Sequence, residues 1–128
     1  MANISLFILS LLASLLLVLA VPLPNNVELN KRDYWGQGTW FNVGEGACGD
    51  WNQNSDSIVA ISSDIYGDGG SCNQWVEVTN TQTGASAWGQ IRDECPSCDS
   101  GSLDMSPGLF QKLGDLSTGV LQIQWNFS

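Results

Sequence analysis

The most informative segment of the sequence is Arg92-Asp93-Glu94-Cys95-Pro96-Ser97-Cys98, followed after four residues by Leu103-Asp104-Met105-Ser106-Pro107. Two close cysteines, two aspartates and a helix start thus fall within sixteen residues. Ser106 can cap a helix, and Pro107 suits the first helical position. Leu109, Phe110 and Leu113 then follow at helical spacing. This segment therefore predicts the one helix of the chain.

On both sides of this segment the apolar patterns are those of short strands. Residues 119–127 alternate between apolar and polar side chains, as a strand with one buried face does. Shorter strand-like runs occur at residues 39–41, 58–61, 75–79 and 85–92, with glycine-rich turns between several of them. We therefore predict an all-β fold in which the strands close into a barrel accompanied by one short helix.

The N-terminal residues predict secretion. Residues 6–20 are almost entirely apolar, are shorter than the roughly 20 residues of a membrane span, and end in the small residue Ala20. The following residues contain two prolines and end in Lys31-Arg32, the only dibasic pair. We predict a signal peptide at 1–20, a propeptide at 21–32 and one domain at 33–128. The alternatives are a membrane anchor and a chance basic pair in a linker.

The composition excludes several classes of function. The chain has 13 acidic and four basic residues and a formal charge of −9, and phosphate binding needs Lys and Arg. We therefore expect neither nucleic acid nor a membrane as a partner of the mature protein. The chain has no histidine, which excludes Ser-His-Asp and Cys-His catalysis and histidine-ligated metals. Four cysteines with only one close pair favour disulfides over a zinc site, and we expect no metal or other cofactor.

Four segments, taken in order, resemble RlpA-like double-psi β-barrel domains. They are Gly38-Thr39-Trp40-Phe41-Asn42 with Gly46-Ala47-Cys48-Gly49, then Val76-Glu77-Val78-Thr79-Asn80, and the two segments quoted first. The likeness covers about residues 36–127. It implies a six-stranded double-psi β-barrel, as in the N-terminal domain of expansins, barwin, family 45 glycoside hydrolases and secreted inhibitors of cysteine proteases. A shared fold does not choose among these functions.

The resemblance also implies a groove and its residues. Asp104 matches the expansin aspartate that corresponds to the general acid of family 45 hydrolases, and Asp93 matches a second groove aspartate. Thr39 matches the hydroxyl residue on the first strand, and the adjacent Trp40 is a further candidate for the groove. Asn42 stands where the hydrolases carry a base, and an amide cannot take a proton from water.

Asp104 also has a structural interpretation, in which its carboxylate serves the start of the predicted helix. Asp104 precedes the predicted helix, where the helix dipole favours an ionised carboxylate and the first backbone N–H groups need acceptors.

Trp125 is predicted to lie in the core because it belongs to the alternating strand. Three other tryptophans are candidates for stacking against sugars: Trp35, Trp51 and Trp88.

The resemblance implies a disulfide pairing as well. In barwin-like relatives the cysteine before the central strand bonds to an earlier loop, which corresponds to Cys48–Cys72 and leaves Cys95–Cys98. Four cysteines allow three pairings, so the sequence alone does not decide among them. Asn126 begins an N-glycosylation sequon, but its place on a strand at the C-terminus argues against its use.

We therefore predict a secreted, non-hydrolytic, expansin-like or barwin-like module. It is expected to be a monomer and to bind a cell-wall polysaccharide in the groove. One alternative is a secreted protease inhibitor or effector that acts by contact with an extracellular protein. The other is a small endoglucanase.

Overall fold

A computed structural model describes residues 32–128 of the chain. The predicted signal peptide with its last residue Ala20, and the predicted propeptide up to Lys31, lie outside the described residues. Arg32 is the first described residue and is exposed. Across the described range, none of the helices has the length and apolar character needed to cross a membrane.

Within residues 32–128 the chain forms six strands, two short α-helices and one 3-10 turn. They are β1 (Tyr34–Trp40), β2 (Ile58–Ser62), α1 (Ser63–Tyr66), β3 (Trp75–Asn80), β4 (Ser86–Cys95), β5 (Leu103–Met105), α2 (Pro107–Leu113), the 3-10 turn (Leu116–Thr118) and β6 (Leu121–Phe127). The strands pair in the closed order β1-β5-β2-β4-β3-β6. The pairs β1/β5 and β2/β4 are parallel and the other four are antiparallel. The predicted six-stranded double-psi barrel is confirmed.

Alternation along the strands fills the barrel with apolar side chains. In β6, Leu121, Ile123 and Trp125 are buried while Gln122 is exposed. Trp125 is fully buried, as its alternation predicted, and its ring stacks on Tyr34 with the centroids 4.3 Å apart. Burying a large apolar side chain typically contributes about 1.5–3 kcal/mol. The packing of this core therefore fixes the register of the strands that carry the outward-facing residues.

Helix α2 begins as the sequence predicts. Ser106 is its N-cap, and the Ser106 Oγ accepts a hydrogen bond from the Leu109 N–H at 3.3 Å. Leu109, Phe110 and Leu113 are buried and join the core. The preceding strand β5 has only three residues, too few for a pattern that sequence alone could identify, yet it pairs with both β1 and β2.

Two disulfides cross-link the loops, one between two loops and one between the end of β4 and the loop that follows it. Cys48 bonds to Cys72 and Cys95 bonds to Cys98, the pairing that the resemblance implied. Cys48 lies in residues 44–52, which we name the front loop. Its backbone is tied to β4, since the Cys48 N–H donates to the Arg92 carbonyl at 3.3 Å. The front loop therefore lies against the outer surface of the barrel.

Candidate binding groove

Four residues from four adjacent strands form a line across the outside of the barrel, which we name the groove row. Thr39 of β1 pairs with Asp104 of β5, Asp104 pairs with Ala60 of β2, and Ala60 pairs with Asp93 of β4. Neighbouring strands lie about 4.8 Å apart, so the row is about 14 Å long. The structure thus brings together three of the residues that the sequence singled out.

A cavity of about 190 Å³ opens at the Thr39 and Asp104 end of the groove row. Its wall is made mostly of hydroxyl, amide and carboxyl side chains together with one disulfide. The lining residues are Gln37, Thr39, Cys95, Ser97, Cys98, Asp99, Ser102 and Asp104. Such a wall offers both hydrogen-bond donors and acceptors, which suits a ligand rich in hydroxyl groups.

The Asp104 carboxyl is half-buried in this cavity. Burial raises its pKa above the usual value and is the largest influence on it. Hydrogen bonds from the Thr39 hydroxyl, at 3.0 Å, and from the Met105 N–H lower the pKa, and the negative charge of Asp93 raises it. Since the net pKa is raised, the protonated form of Asp104 persists to a higher pH than an ordinary aspartate allows.

The structural interpretation of Asp104 as the acceptor at the helix start is wrong. Ser106 accepts from the Leu109 N–H of the helix, while the Asp104 carboxyl accepts from the Thr39 hydroxyl and from the Met105 N–H, which precedes the helix. The net pKa of Asp104 is raised, with burial as the largest cause, whereas the helix dipole alone would lower it. The side chain therefore belongs to the groove.

Asp93 occupies the other end of the groove row because of a β-bulge. The register of β2 against β4 shifts between Val59 and Ala60, so that Ile91 pairs with Val59 but Asp93 pairs with Ala60. Ile91 is buried, whereas Asp93 reaches the outer surface. Its Oδ1 accepts hydrogen bonds from the backbone N–H groups of Ala47 and Glu94, both at 2.8 Å. Asp93 therefore holds the front loop against the barrel.

Trp40 and Asn42 lie away from the groove row. Trp40 packs against the core, and its indole N–H donates to the Leu116 carbonyl at 3.0 Å. Successive residues of a strand face opposite sides, which is why Trp40 turns away from its neighbour Thr39. Asn42 is exposed, and its amide oxygen accepts a hydrogen bond from Asn54 at 3.1 Å. The structure does not bring either side chain to Asp104.

Four tryptophans are strongly exposed, one more than the sequence singled out. The additional one is Trp75, which begins β3 and has 45% of its surface exposed. Alternation could have revealed it, because Val76 and Val78 are buried and thereby turn Trp75 outward. The other three, with their exposed fractions, are Trp35 at 66%, Trp51 at 73% and Trp88 at 47%.

The described part of the chain has no set of residues suited to a metal. Within residues 32–128, no three His, Cys, Asp or Glu side chains are grouped so that they could hold an ion. All four cysteines are joined in disulfides, which removes the thiolates that would bind zinc. Asp93 and Asp104 form only a pair, separated by β2.

Comparison with known proteins identifies relatives of two kinds. No protein-family model matches the chain. It is 33% identical over 99 residues to the papain inhibitor of Streptomyces mobaraensis, covering 72% of this chain and 69% of that protein. It is 29% identical over 100 residues to the ripening-related protein grip22 of Vitis vinifera, covering 66% of this chain and 45% of that protein.

Solved structures resemble the barrel closely. An expansin mutant of Clavibacter michiganensis in complex with cellohexaose matches with a TM-score of 0.68 and 26% identity, over 76% of this chain and 50% of that chain. The Streptomyces papain inhibitor matches with a TM-score of 0.67 and 32% identity, over 75% of this chain and 94% of that chain. The chain thus spans about half the length of the expansin and of grip22, but almost all of the solved inhibitor.

Proposed function

The chain belongs to the barwin-like double-psi β-barrel family of the Streptomyces papain inhibitor, and on this premise we propose that it is a secreted, non-hydrolytic module that binds a cell-wall polysaccharide in its groove. The observation that carries the proposal is the hydrogen-bonded pair of Thr39 and Asp104 in a polar cavity on the outer surface of the barrel. Two disulfides and the apolar residues 6–20 support secretion.

The chemistry of the groove favours a neutral sugar polymer. Asp104 and Thr39 offer a carboxyl and a hydroxyl, and Asp99 adds a second carboxylate to the same cavity. The chain carries a formal charge of −9, so an anionic ligand would be repelled. The expansin neighbour is in complex with cellohexaose, a neutral glucose oligomer, which supports the same class of ligand for this groove.

The carboxylates favour binding over hydrolysis. A glycosidase needs an acid and a base about 5–9.5 Å apart across the scissile bond. Asp104 meets one requirement, because burial raises its pKa as a general acid needs. Asn42 offers only an amide where a base is expected, and Asp93 uses Oδ1 to accept from the Ala47 and Glu94 N–H groups, which favours a structural role for that carboxylate. We therefore expect no release of reducing sugar from soluble β-glucans.

The test compares binding with turnover in matched variants. The wild type, Asp104→Asn and Thr39→Val are incubated with insoluble cellulose, chitin and β-1,3-glucan, and the bound fraction is measured by pull-down. We expect Asp104→Asn to weaken binding without unfolding the protein, because Asn retains an acceptor for the Thr39 hydroxyl. Asp115→Asn is the control, because it removes the same charge from an exposed residue outside the groove.

Two results would contradict this function. Reducing sugar released by the wild type and lost in Asp104→Asn would make the protein a hydrolase. Equal binding by the wild type, Thr39→Val and Asp104→Asn would remove the groove as the binding site.

Inhibition of a papain-like protease is the second candidate. It is favoured by the papain inhibitor, whose solved chain is covered over 94% of its length at 32% identity. The same preparations are therefore assayed against papain with a small peptide substrate. Inhibition that survives Asp104→Asn and Thr39→Val, together with no retention on any of the three glycans, would establish this candidate in place of the first.

A further inference from the structure

A second cavity, of about 280 Å³, lies beside the front loop and outside the groove row. Its lining combines one exposed aromatic ring, one buried aliphatic side chain and several polar groups. The residues are Asn52, Asp56, Ser57, Ile58, Trp75, Gln90 and Arg92. Its volume lies near the lower end of ligand pockets, which run from about 300 to 1,000 Å³. The cavity is thus large enough for a small ring and too small for a folded partner.

The polar groups of this cavity are fixed in place by contacts within the protein. Arg92 bonds to Asn52 Oδ1 at 3.1 Å and to Asn73 Oδ1 at 3.0 Å, and it pairs with Asp50 at 3.3 Å. Asn52 is only 3% exposed and also donates to the carbonyls of Gly44 and Asp50. A wall held this firmly is organised before any ligand arrives, which lowers the entropic cost of binding.

Two acceptors of the wall remain available to a ligand. Asp56 uses Oδ2 to accept from the Gln53 N–H, and Gln90 uses Nε2 to donate to the Asn73 carbonyl. The other side-chain oxygens, Asp56 Oδ1 and Gln90 Oε1, accept no hydrogen bond from residues 32–128. A ligand that donates several hydrogen bonds from one small ring would satisfy both oxygens.

The aromatic residues supply a stacking surface next to these acceptors. Trp75 pairs directly with Gln90 across β3 and β4, and Trp88 lies two residues before Gln90 on the same face of β4. Diagonal neighbours of this kind are about 7–8 Å apart, within reach of large rings. A chain of sugar rings could therefore stack on Trp75 and continue over Trp88.

The charges of the cavity exclude anionic ligands. Its one cation, Arg92, is neutralised by Asp50, and Asp56 adds a further carboxylate. A phosphate or a uronic acid would meet a net negative surface, whereas a neutral ring would not.

We propose that this second cavity, which we name the Trp75 cavity, is a second carbohydrate site that binds one pyranose ring of a neutral glycan. The ring stacks on Trp75, and its hydroxyl groups donate hydrogen bonds to Asp56 and Gln90. The site adjoins the groove row, because Ile58 in its wall lies two residues before Ala60 on β2, about 7 Å away. It does not depend on the groove, since none of its lining residues lines the groove cavity.

The test follows the six indole N–H signals by NMR while cellohexaose, laminarihexaose and chitohexaose are added, each up to about 10 mM, a concentration that reveals millimolar affinity. With at least one oligosaccharide, the Trp75 signal is expected to shift and saturate. It should do so equally in a Thr39→Val/Asp104→Asn double variant. Trp75→Ala and Gln90→Ala should each weaken this affinity about five-fold or more, followed through the Trp88 signal where Trp75 is absent.

Trp35→Ala is the control, because Trp35 is even more exposed than Trp75 but lies outside the cavity, and it should leave the affinity within about two-fold. No shift of Trp75 with any of the three oligosaccharides would overturn the proposal. A shift that disappears in the Thr39→Val/Asp104→Asn variant would also overturn it, while leaving the groove as the binding site. Papain inhibition lost in Trp75→Ala, without any oligosaccharide shift, would make the cavity a protein contact instead.

Discussion

The groove and the Trp75 cavity use the same two strands, β2 and β4, but their polar side chains are held in different ways. In the groove, the Thr39 hydroxyl bonds directly to Asp104 on the neighbouring strand, so the barrel alone sets the geometry. In the cavity, Arg92 reaches out to Asn52 and Asn73, which lie on two separate loops. The groove therefore depends on strand pairing, and the cavity depends on the front loop.

The β-bulge between β2 and β4 explains how one loop serves both sites. In a regular strand Arg92 and Asp93 would face opposite sides of the sheet. The register shift at Val59 and Ala60 lets both reach the outer surface, where Arg92 bonds Asn52 and Asp93 bonds Ala47. Bulges commonly re-aim side chains in this manner. The side chains of two consecutive residues of β4, Arg92 and Asp93, thus both hold the front loop.

Removal of the Cys48–Cys72 disulfide, which holds the front loop, should give the largest loss of stability. Replacing both cysteines by Ser is expected to lower the free energy of unfolding by about 3–3.5 kcal/mol, because the bond closes a loop with a sequence separation of 24. Urea denaturation measures this change. The matched variant Cys95→Ser/Cys98→Ser breaks a separation of three and should cost about 2 kcal/mol. An equal loss in both variants would contradict the chain-entropy argument.

Replacement of Arg92 tests whether the front loop depends on that side chain. Arg92→Met leaves the buried Asn52 Oδ1 without its donor, so we expect a loss of about 2–3 kcal/mol, measured as a fall in Tm. Lys112→Met is the control, because Lys112 makes one exposed hydrogen bond to Ser57 and should cost less than about 0.5 kcal/mol. An Arg92→Met variant as stable as the wild type would mean that the disulfide, Asp93 and the backbone contacts hold the loop without the Arg92 side chain.

Two glycines of the front loop give a sharper test of its contact with β4. A methyl group at Gly46 would lie 2.2 Å from the Arg92 carbonyl oxygen, so Gly46→Ala must lift the loop and should cost about 1–2 kcal/mol in urea denaturation. A methyl group at Gly44 would lie 3.6 Å from the Trp51 ring, an ordinary contact. Gly44→Ala should therefore stay within about 0.5 kcal/mol of the wild type. Similar losses in both variants would show that the close approach to β4 is unimportant.

The smallest expected effect concerns the pH dependence of the groove. The folded protein binds the Asp104 proton more tightly than the unfolded chain, since burial raises the pKa above 3.8. This contribution to stability is present below pH 3.8 and is lost as the pH rises through the raised pKa. Asp104→Asn lacks it, so Tm of the variant minus Tm of the wild type should increase from pH 3.5 to 6.5, by no more than about 4 °C because the side chain is half-exposed.

Thr39→Val provides the complementary measurement. It removes the hydrogen bond that lowers the pKa of Asp104, so a carboxyl NMR titration should show a higher pKa than in the wild type. An unchanged or lower pKa would mean that the Thr39 hydroxyl does not stabilise the ionised carboxylate. The same variant tests the groove in the glycan pull-down.

Sequence patterns identified the barrel well where alternation or motif order carried the signal. β6 was predicted from its period of two, and α2 from Ser106, Pro107 and the spacing of its apolar residues. β1 begins at Tyr34, further towards the N-terminus than predicted. Pairing with β6 extends the strand over a segment whose two glycines, Gly36 and Gly38, argue against a strand. β5 has only three residues and exists because β1 and β2 flank it. Pairing with strands that are distant in sequence leaves no local pattern by which the residues of β5 could be identified as a strand.

The candidate site residues divide in the same way, into those that sequence motifs identified and those that only the structure placed. Thr39, Asp93 and Asp104 were identified by their motifs, and the structure places them in one row. Trp40 was a candidate by adjacency alone, and strand alternation turns it to the core instead. Trp75 was overlooked, although the same alternation places it outside.

The strand-rich fold, the helix start at Ser106 and the exclusion of histidine chemistry could be read from the sequence, because they follow from local periodicity, capping and composition. Only the tertiary structure decided that Asp104 is half-buried with a raised pKa and that Asp93 holds a loop. It also placed Arg92 and Trp75 around one cavity. The physical reason is that burial and hydrogen bonding depend on strands brought together from distant parts of the chain, and a bulge of one residue changes which side chains meet.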